Sequence, residues 1–421
     1  MNQALSIHPQ RLTDSIQKLG QIGRYYDETL GLDGVNRLAL TAADGEGRRH
    51  VIEQMRARGL TVTIDRIGNV YARRPGRKDS LAPIMMGSHI DSVPTAGMFD
   101  GCLGVLGALE IIHTLNDAQR QTTRPMVVAF FTDEEGSRFG TDMLGSAVAT
   151  GRIPLAEAYA LTDRAGRTVE RELRTLGFLG DAAEKLTPPH AYLECHIEQG
   201  PVLRSRDMEI GVVTGVQSIS WHEVTIMGRS AHAGTTPMEL RADASVAASR
   251  INLRLRELAR SGKFGTQMRG TMGAMTPAPG LVNIVPGRMT VTVDLRNPDD
   301  QLMRAAEADI IAFYEQVARE EEVQIAWRQT ARTDCVSFDS RIQAAIAEAA
   351  TRRGLSHLSM VSGAGHDAQE LAHLTRAGMV FVPGEYNGIS HNPREFSTTE
   401  QCANGVNVLL DVLLELAEQH D

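Results

Sequence analysis

Four short segments of this chain carry imidazoles and carboxylates at spacings that suit metal binding. In GSHIDSVPTAGMFDG (87–101), His89 closes a short apolar run, Asp91 follows two residues later, and Asp100 comes eleven residues after His89. A histidine from a strand end and a carboxylate from the start of the next helix can converge on one ion. Asp91 is then placed as an acceptor for the other nitrogen of His89. Taken alone, the segment reads equally well as a polar surface loop. FFTDEEGSRFG (130–140) puts Glu134 and Glu135 side by side after a run too apolar to face water. Adjacent acids there repel each other unless a cation or proton intervenes, so one suits a ligand and the other a base. HIEQG (196–200) adds His196 and Gln199, and GISHNPREFS (388–397) adds His391. His89, Asp100, Glu135, His196 and His391 make three imidazoles and two carboxylates. That is too many for one catalytic zinc, and it suits two divalent ions (zinc, manganese, cobalt or nickel) about 3.5–4 Å apart with one bridging carboxylate.

The elements that must position these residues alternate. Helical spacing covers 11–30 and 46–59; TVTIDRIGNVYARRPG (61–76) reads as a strand, and 82–91, 125–135 and 191–200 as buried strands, with a helix at 100–115. Such alternation predicts an α/β fold: a mostly parallel mixed sheet flanked by helices, with ligands beyond the carboxyl ends of its strands. The His89, Glu134–Glu135 and His196 clusters all fall at such ends. From about 210 the style changes to alternating strands around helices at 241–260 and 299–322, an inserted smaller α+β unit. The buried style returns after 332. The expected division is 1–211 and 330–421 for the metal-bearing domain and 212–329 for the insertion, with linkers at 208–214 and 328–334 that suit a hinged lid.

Composition narrows the function classes. The 421 residues carry 43 Lys and Arg against 52 Asp and Glu, a net charge of −9. That is the wrong field for nucleic acid or a membrane surface. Cys102, Cys195, Cys335 and Cys402 form no C-x-x-C pair and no disulfide framework, which points to a reducing compartment. No signal peptide and no apolar stretch of about 20 residues is visible, so a cytoplasmic location is expected.

The segments GSHIDSV…FDG, TDEEGSRF, ECHIEQGP, GRSAHAGTTPM, VNIVPG…DLR, SGAGHDA and GISHNPRE occur in this order across nearly the whole chain. Together they resemble the dinuclear metal amidohydrolases related to metallopeptidases: N-carbamoyl-L-amino-acid hydrolases, allantoate amidohydrolases and β-ureidopropionases. The resemblance implies that Asp100 bridges two ions, with His89 and His196 completing one site and Glu135 and His391 the other. It implies Glu134 as general base. It also implies a homodimer formed through the inserted domain, in which His232 reaches the neighbouring active site and stabilises the oxyanion. Asn283 and Arg296 would bind a substrate carboxylate, while Gln199 and the Ser362–Gly365 turn, with Gly363 and Ala364, would line the pocket; the role of His366 beside that turn is open. Without that context, Arg296 is commonly an outward salt bridge, and His232 a loop histidine stabilising a turn. The implied reaction is hydrolysis of the carbamoyl C–N bond of N-carbamoyl-L-amino acids, releasing ammonia, carbon dioxide and the free amino acid, with allantoate or β-ureidopropionate as alternative substrates. An inactive binding protein on the same scaffold is the reading from another class; the intact Glu134 argues against it.

Overall fold

The computed structural model describes residues 5–419. The chain divides into two compact units, one running up to Val216 and resuming at Ser337, the other Gln217–Val336. The expected boundaries near 212 and 329 fall inside strands, Ile210–Val216 and Gln324–Thr333, each held by its own sheet. The chain changes unit only after those ladders end.

The first unit is built on a mixed sheet of β1 (Thr61–Ile64), β2 (Val70–Arg74), β3 (Ile84–His89), β4 (Met126–Phe131), β5 (Ala191–Ile197), β6 (Ile210–Val216), β7 (His357–Ser362) and β8 (Arg376–Val382). Their order is β6-β8-β5-β3-β4-β2-β1, with β7 paired to β6. The central four, β8, β5, β3 and β4, are mutually parallel. Antiparallel pairs flank them on both sides. Every residue of β3, β4 and β5 is buried, which is why these segments read as continuous apolar runs.

Helices α1 (Pro9–Gly20), α3 (Cys102–Asp117), α4 (Ser340–Arg352) and α5 (Thr399–Ala417) pack together on one face, and α2 (Ala42–Ala57) packs against β1. Alternation along β5 sorts its side chains between the faces. Cys195 lies against Gly405 of α5, whereas Glu194 accepts the N–H of Ala368 on the other face. The thiol is therefore a core residue, and burial pushes it well above the usual thiol range.

Two expected elements differ. Helical spacing predicts a helix over 11–30, but α1 ends at Gly20 and a hairpin of Arg24–Asp27 with Leu32–Val35 follows. Gly23 takes φ +84° and the Asp27 carboxylate accepts the N–H groups of Thr29 and Leu30, turn chemistry that overrides the apolar period. The strand expected over 61–76 is the β1–β2 hairpin, turned where Asp65 accepts from the N–H groups of Ile67 and Asn69.

The second unit is a five-stranded antiparallel sheet. Ser218–Met227 pairs on one side with Arg288–Asn297 and on the other with Gln324–Thr333; Arg269–Thr271 and Met275–Ala278 extend it. Helices Ala244–Arg260 and Asp300–Glu320 bury its core of Val224, Ile226, Val291, Val293, Ile251, Leu255, Ile310 and Tyr314. Among the described residues no helix is long and apolar enough to cross a membrane.

Candidate metal centre

The strand ends and the loops that follow them converge on Asp100. His89, the last residue of β3, places Nε2 3.6 Å from Asp100 Oδ1. His196 of β5 places Nε2 3.2 Å from the same oxygen. On the other side of the carboxylate, His391 Nε2 lies 3.6 Å from Asp100 Oδ2 and 3.1 Å from Glu135 Oε2. Two ligand groups result, His89–Asp100–His196 and Asp100–Glu135–His391, each with its donor atoms within 4.8 Å of one another, and Asp100 belongs to both. Glu134 stands beside the first, its Oε2 3.5 Å from His89 Nε2.

The donor chemistry suits cations. His89 Nδ1 donates to the Asp91 carbonyl at 3.0 Å, and His196 Nδ1 to the Ile197 carbonyl at 2.9 Å. A carbonyl can only accept, so in the neutral form of each ring Nε2 carries a lone pair, not a proton; that of His196 accepts the Gly101 N–H at 3.1 Å, and that of His89 lies toward Asp100. Asp100 Oδ1 and Glu135 Oε1 are buried without a hydrogen-bond partner. Lone pairs facing buried, unsatisfied carboxylate oxygens are stable together when positive charge sits between them. The residues therefore fit divalent-cation binding.

Without a cation, the same cluster balances its buried negative charge with protons on the imidazoles. Burial opposes a charge on His89, yet Glu134 and Asp100 hold its pKa well above the usual imidazole value. Asp100, against the cost of its burial, is held well below the carboxylate range by the imidazoles of His196 and His89. The charge of Glu135 lifts His391 to about 9. Burial pushes Glu134 well above its usual value, with Asp367, Glu135 and Asp91 adding to the effect.

Some expected residues take a different part. The atom of Asp91 that meets His89 is its carbonyl; the carboxylate lies 3.9 Å away and accepts from the backbone N–H groups of Glu134 and Glu135, each at 3.3 Å. Asp91 thus orients the imidazole with one oxygen and the two-glutamate turn with the others. Gln199, with φ +55°, donates from Nε2 to Asp100 Oδ2 at 2.7 Å, so its amide sits on the shared carboxylate. Gly363 and Ala364 form a turn tied by Ser362 Oγ, which contacts the Ala364 carbonyl at 2.9 Å, the Ala364 N–H at 3.1 Å and His366 Nε2 at 2.9 Å. The His366 ring packs edge-on against His196, centroids 4.5 Å apart.

His232, Asn283 and Arg296 belong to the second unit. A short antiparallel ladder pairs His232 with Ile284, and the Ala233 N–H donates to the Asn283 carbonyl at 3.0 Å. The HAG and VNIV segments are thereby neighbours. His232 is exposed, and its Nδ1 accepts the N–H groups of Gly234 at 3.0 Å and Thr235 at 3.2 Å. That turn fixes Nε2 as the protonated nitrogen, so the turn-stabilising role and a donor role coincide. Arg296 bonds Asp294, two residues back on its strand, through Nε at 3.1 Å and Nη2 at 2.9 Å. The salt bridge at a strand end is present, and it engages the Nε edge of a guanidinium that has five N–H donors.

Several contributors are missing from the expectations. Glu194 shares a face of β5 with His196 and forms with His196 and His366 a third close group. Its spacing of two from a strand histidine was the available signal. Ser390 and Glu395 flank His391 and contact Asp100, and a lone acid in a turn offers no such signal.

Residues 85–415 match the peptidase family M20/M25/M40. The chain belongs to this family. Among the relatives of this M20 chain, an N-carbamoyl-L-amino-acid amidohydrolase of Rhizobium meliloti is 38% identical over 98% of this chain and 97% of its own length. An allantoate amidohydrolase of Bacillus subtilis is 33% identical over 96% and 97%. An amidase of the hydantoinase/carbamoylase family from Burkholderia vietnamiensis superposes with a TM-score of 0.95 at 40% identity, covering both chains completely. The M20 assignment makes this protein a metal-dependent hydrolase, and the fold seen here is that family's mixed sheet flanked by helices.

Proposed function

We propose that this protein hydrolyses the carbamoyl C–N bond of N-carbamoyl-L-amino acids, releasing ammonia, carbon dioxide and the free amino acid. The observation that carries the proposal is the pair of ligand groups sharing Asp100 with Glu134 at their edge. The kinship with N-carbamoyl-L-amino-acid amidohydrolases supports the substrate class. A second reading, hydrolysis of allantoate, is favoured by the Bacillus subtilis relative. Both substrates combine a ureido group with a carboxylate.

His89, His196, Glu135 and His391 would hold two divalent ions, bridged by Asp100. Bound there, such ions supply charge that polarises the ureido carbonyl and eases deprotonation of water. Glu134 takes the proton of the attacking water on its carboxylate and returns one to the departing ammonia. His232 donates its Nε2–H to the developing oxyanion, acting on the neighbouring subunit of a dimer formed through the second unit. Arg296 and Asn283 grip the substrate carboxylate, with Asp294 orienting the guanidinium, and Gln199 and the Gly363–Ala364 turn line the pocket. A cytoplasmic location suits four cysteines without a disulfide.

The test is ammonia release from a panel of N-carbamoyl amino acids, β-ureidopropionate and allantoate, with zinc, manganese, cobalt and nickel supplied in turn. No release from any ureido substrate with any ion would overturn the reaction; release from allantoate alone would select the second reading.

Two substitutions separate the roles. His232→Ala is expected to lower kcat by on the order of 10²–10³. Mixed with Glu134→Gln, it should regain activity, because hybrid dimers contain one intact site. No recovery despite demonstrated subunit exchange would place His232 in its own subunit's site. Arg296→Ala should raise KM for carboxylate-bearing substrates by roughly 10- to 100-fold, the loss of one or two charge-assisted hydrogen bonds. An equal loss on an amide-capped substrate would contradict a carboxylate contact.

A further inference from the structure

We infer that Glu395 is a positioning residue that locks Asp100 and the His391 loop into one geometry, so that the two ligand groups form as a unit; this rests on the metal-dependent reading above. Glu395 Oε1 accepts the backbone N–H of Phe99 at 2.9 Å and that of Asp100 at 3.0 Å. Its Oε2 receives the hydroxyl of Ser390 at 2.7 Å, and that hydroxyl also stands 2.7 Å from Asp100 Oδ2. The one carboxylate thus fixes the start of the Asp100 side chain through its backbone, and the hydroxyl of Ser390, the chain neighbour of His391, sits between its other oxygen and the end of that side chain, one proton shared by two acceptors.

The surroundings are built to seat this group. Glu395 is 4% exposed, so its contacts are shielded from competing water. A side chain at Gly97 would bring its Cβ to 2.5 Å from Glu395 Cβ, so the 92–100 loop rests directly on the acid. Thr95 Oγ1 donates to the His391 carbonyl at 3.2 Å, and the rings of Phe99 and Phe396 meet edge-to-face at 5.7 Å. Two loops almost 300 residues apart in sequence are cross-linked at the residue both ligand groups share. Groups that orient metal ligands in this way typically govern affinity 10- to 100-fold.

The experiment is a cobalt(II) titration of the metal-stripped full-length protein, read by visible absorption and chelator competition. Glu395→Ala should weaken cobalt binding at the Asp100–Glu135–His391 group 10- to 100-fold. Glu395→Gln keeps an acceptor oxygen for the two N–H groups and an amide toward Ser390, and should bind cobalt as the parent does. Parent-like binding by Glu395→Ala, or equal losses in both variants, overturns the inference. If Glu395→Ala fails to fold, Ser390→Ala decides: weaker cobalt binding supports the link through the hydroxyl, and unchanged binding overturns it. Since occupancy and not turnover is read, normal cobalt binding without ureido hydrolysis would count against the proposed reaction alone.

Discussion

Glu134→Gln is expected to leave metal content unchanged and to lower turnover by up to about 10⁴-fold, the upper range for loss of general acid–base catalysis. The substitution is nearly isosteric and removes only the ability to take a proton. The side chain belongs to neither ligand group, although it stands 3.5 Å from His89 Nε2. Its backbone is held independently, by the N–H bond to Asp91 and the Met143 N–H bond to its carbonyl at 2.7 Å. Metal analysis and steady-state kinetics on the same preparation check the result. A variant with near-parental turnover would remove Glu134 from the base role; one that loses metal would make it a ligand.

Gly101→Ala is expected to abolish activity by a different route, through loss of metal. Gly101 precedes α3 with φ +66° and ψ −45°, outside the left-handed helical well and strained for any residue with a Cβ. The larger effect is steric. A Cβ there would lie 2.4 Å from Nε2 of His89 and 2.5 Å from two carbons of the same ring. His89 is fully enclosed and pinned by the Asp91 carbonyl, so either the imidazole or the start of α3, with Asp100, must move. A misplacement of about 1 Å already costs on the order of 10² in rate. Here it also breaks the ligand group that contains both residues. Metal content should fall while circular dichroism stays parental; full metal occupancy in a folded Gly101→Ala protein would sink the idea.

The strand-borne part of this site was legible because fully buried parallel strands write themselves as apolar runs, and polar residues at their ends stand out. His89, Glu134, Glu135 and His196 were singled out that way. Asp100 and His391 lie on loops, and their candidacy needed the company of the others. What escaped was set by distance in sequence. Glu395 bonds backbone N–H groups almost 300 residues away, and no local pattern encodes an amide as a partner. The dual use of Asp91 escaped for another reason: spacing places a residue on a face but does not say which of its oxygens will meet the imidazole. The helix expected over 11–30 failed because Ile22, Tyr25, Tyr26 and Leu30 keep the apolar supply going past Gly20, while the turn at Asp27 and the φ of Gly23 settle the backbone. In the second unit, the sheet and helices followed from their periods, whereas the pairing of His232 with Ile284 did not.

The placement of the second unit within the chain has a consequence for biogenesis. The His89–Asp100–His196 group is encoded entirely before residue 217, where that unit begins. His391 and Glu395 are encoded after it, and so is β8, the parallel neighbour of β5. A ribosome therefore delivers one ligand group before the second unit and the other only after it. Domains fold as they emerge, and non-local strand pairing waits for its partner. Chains interrupted before residue 391 thus lack the Asp100–Glu135–His391 group.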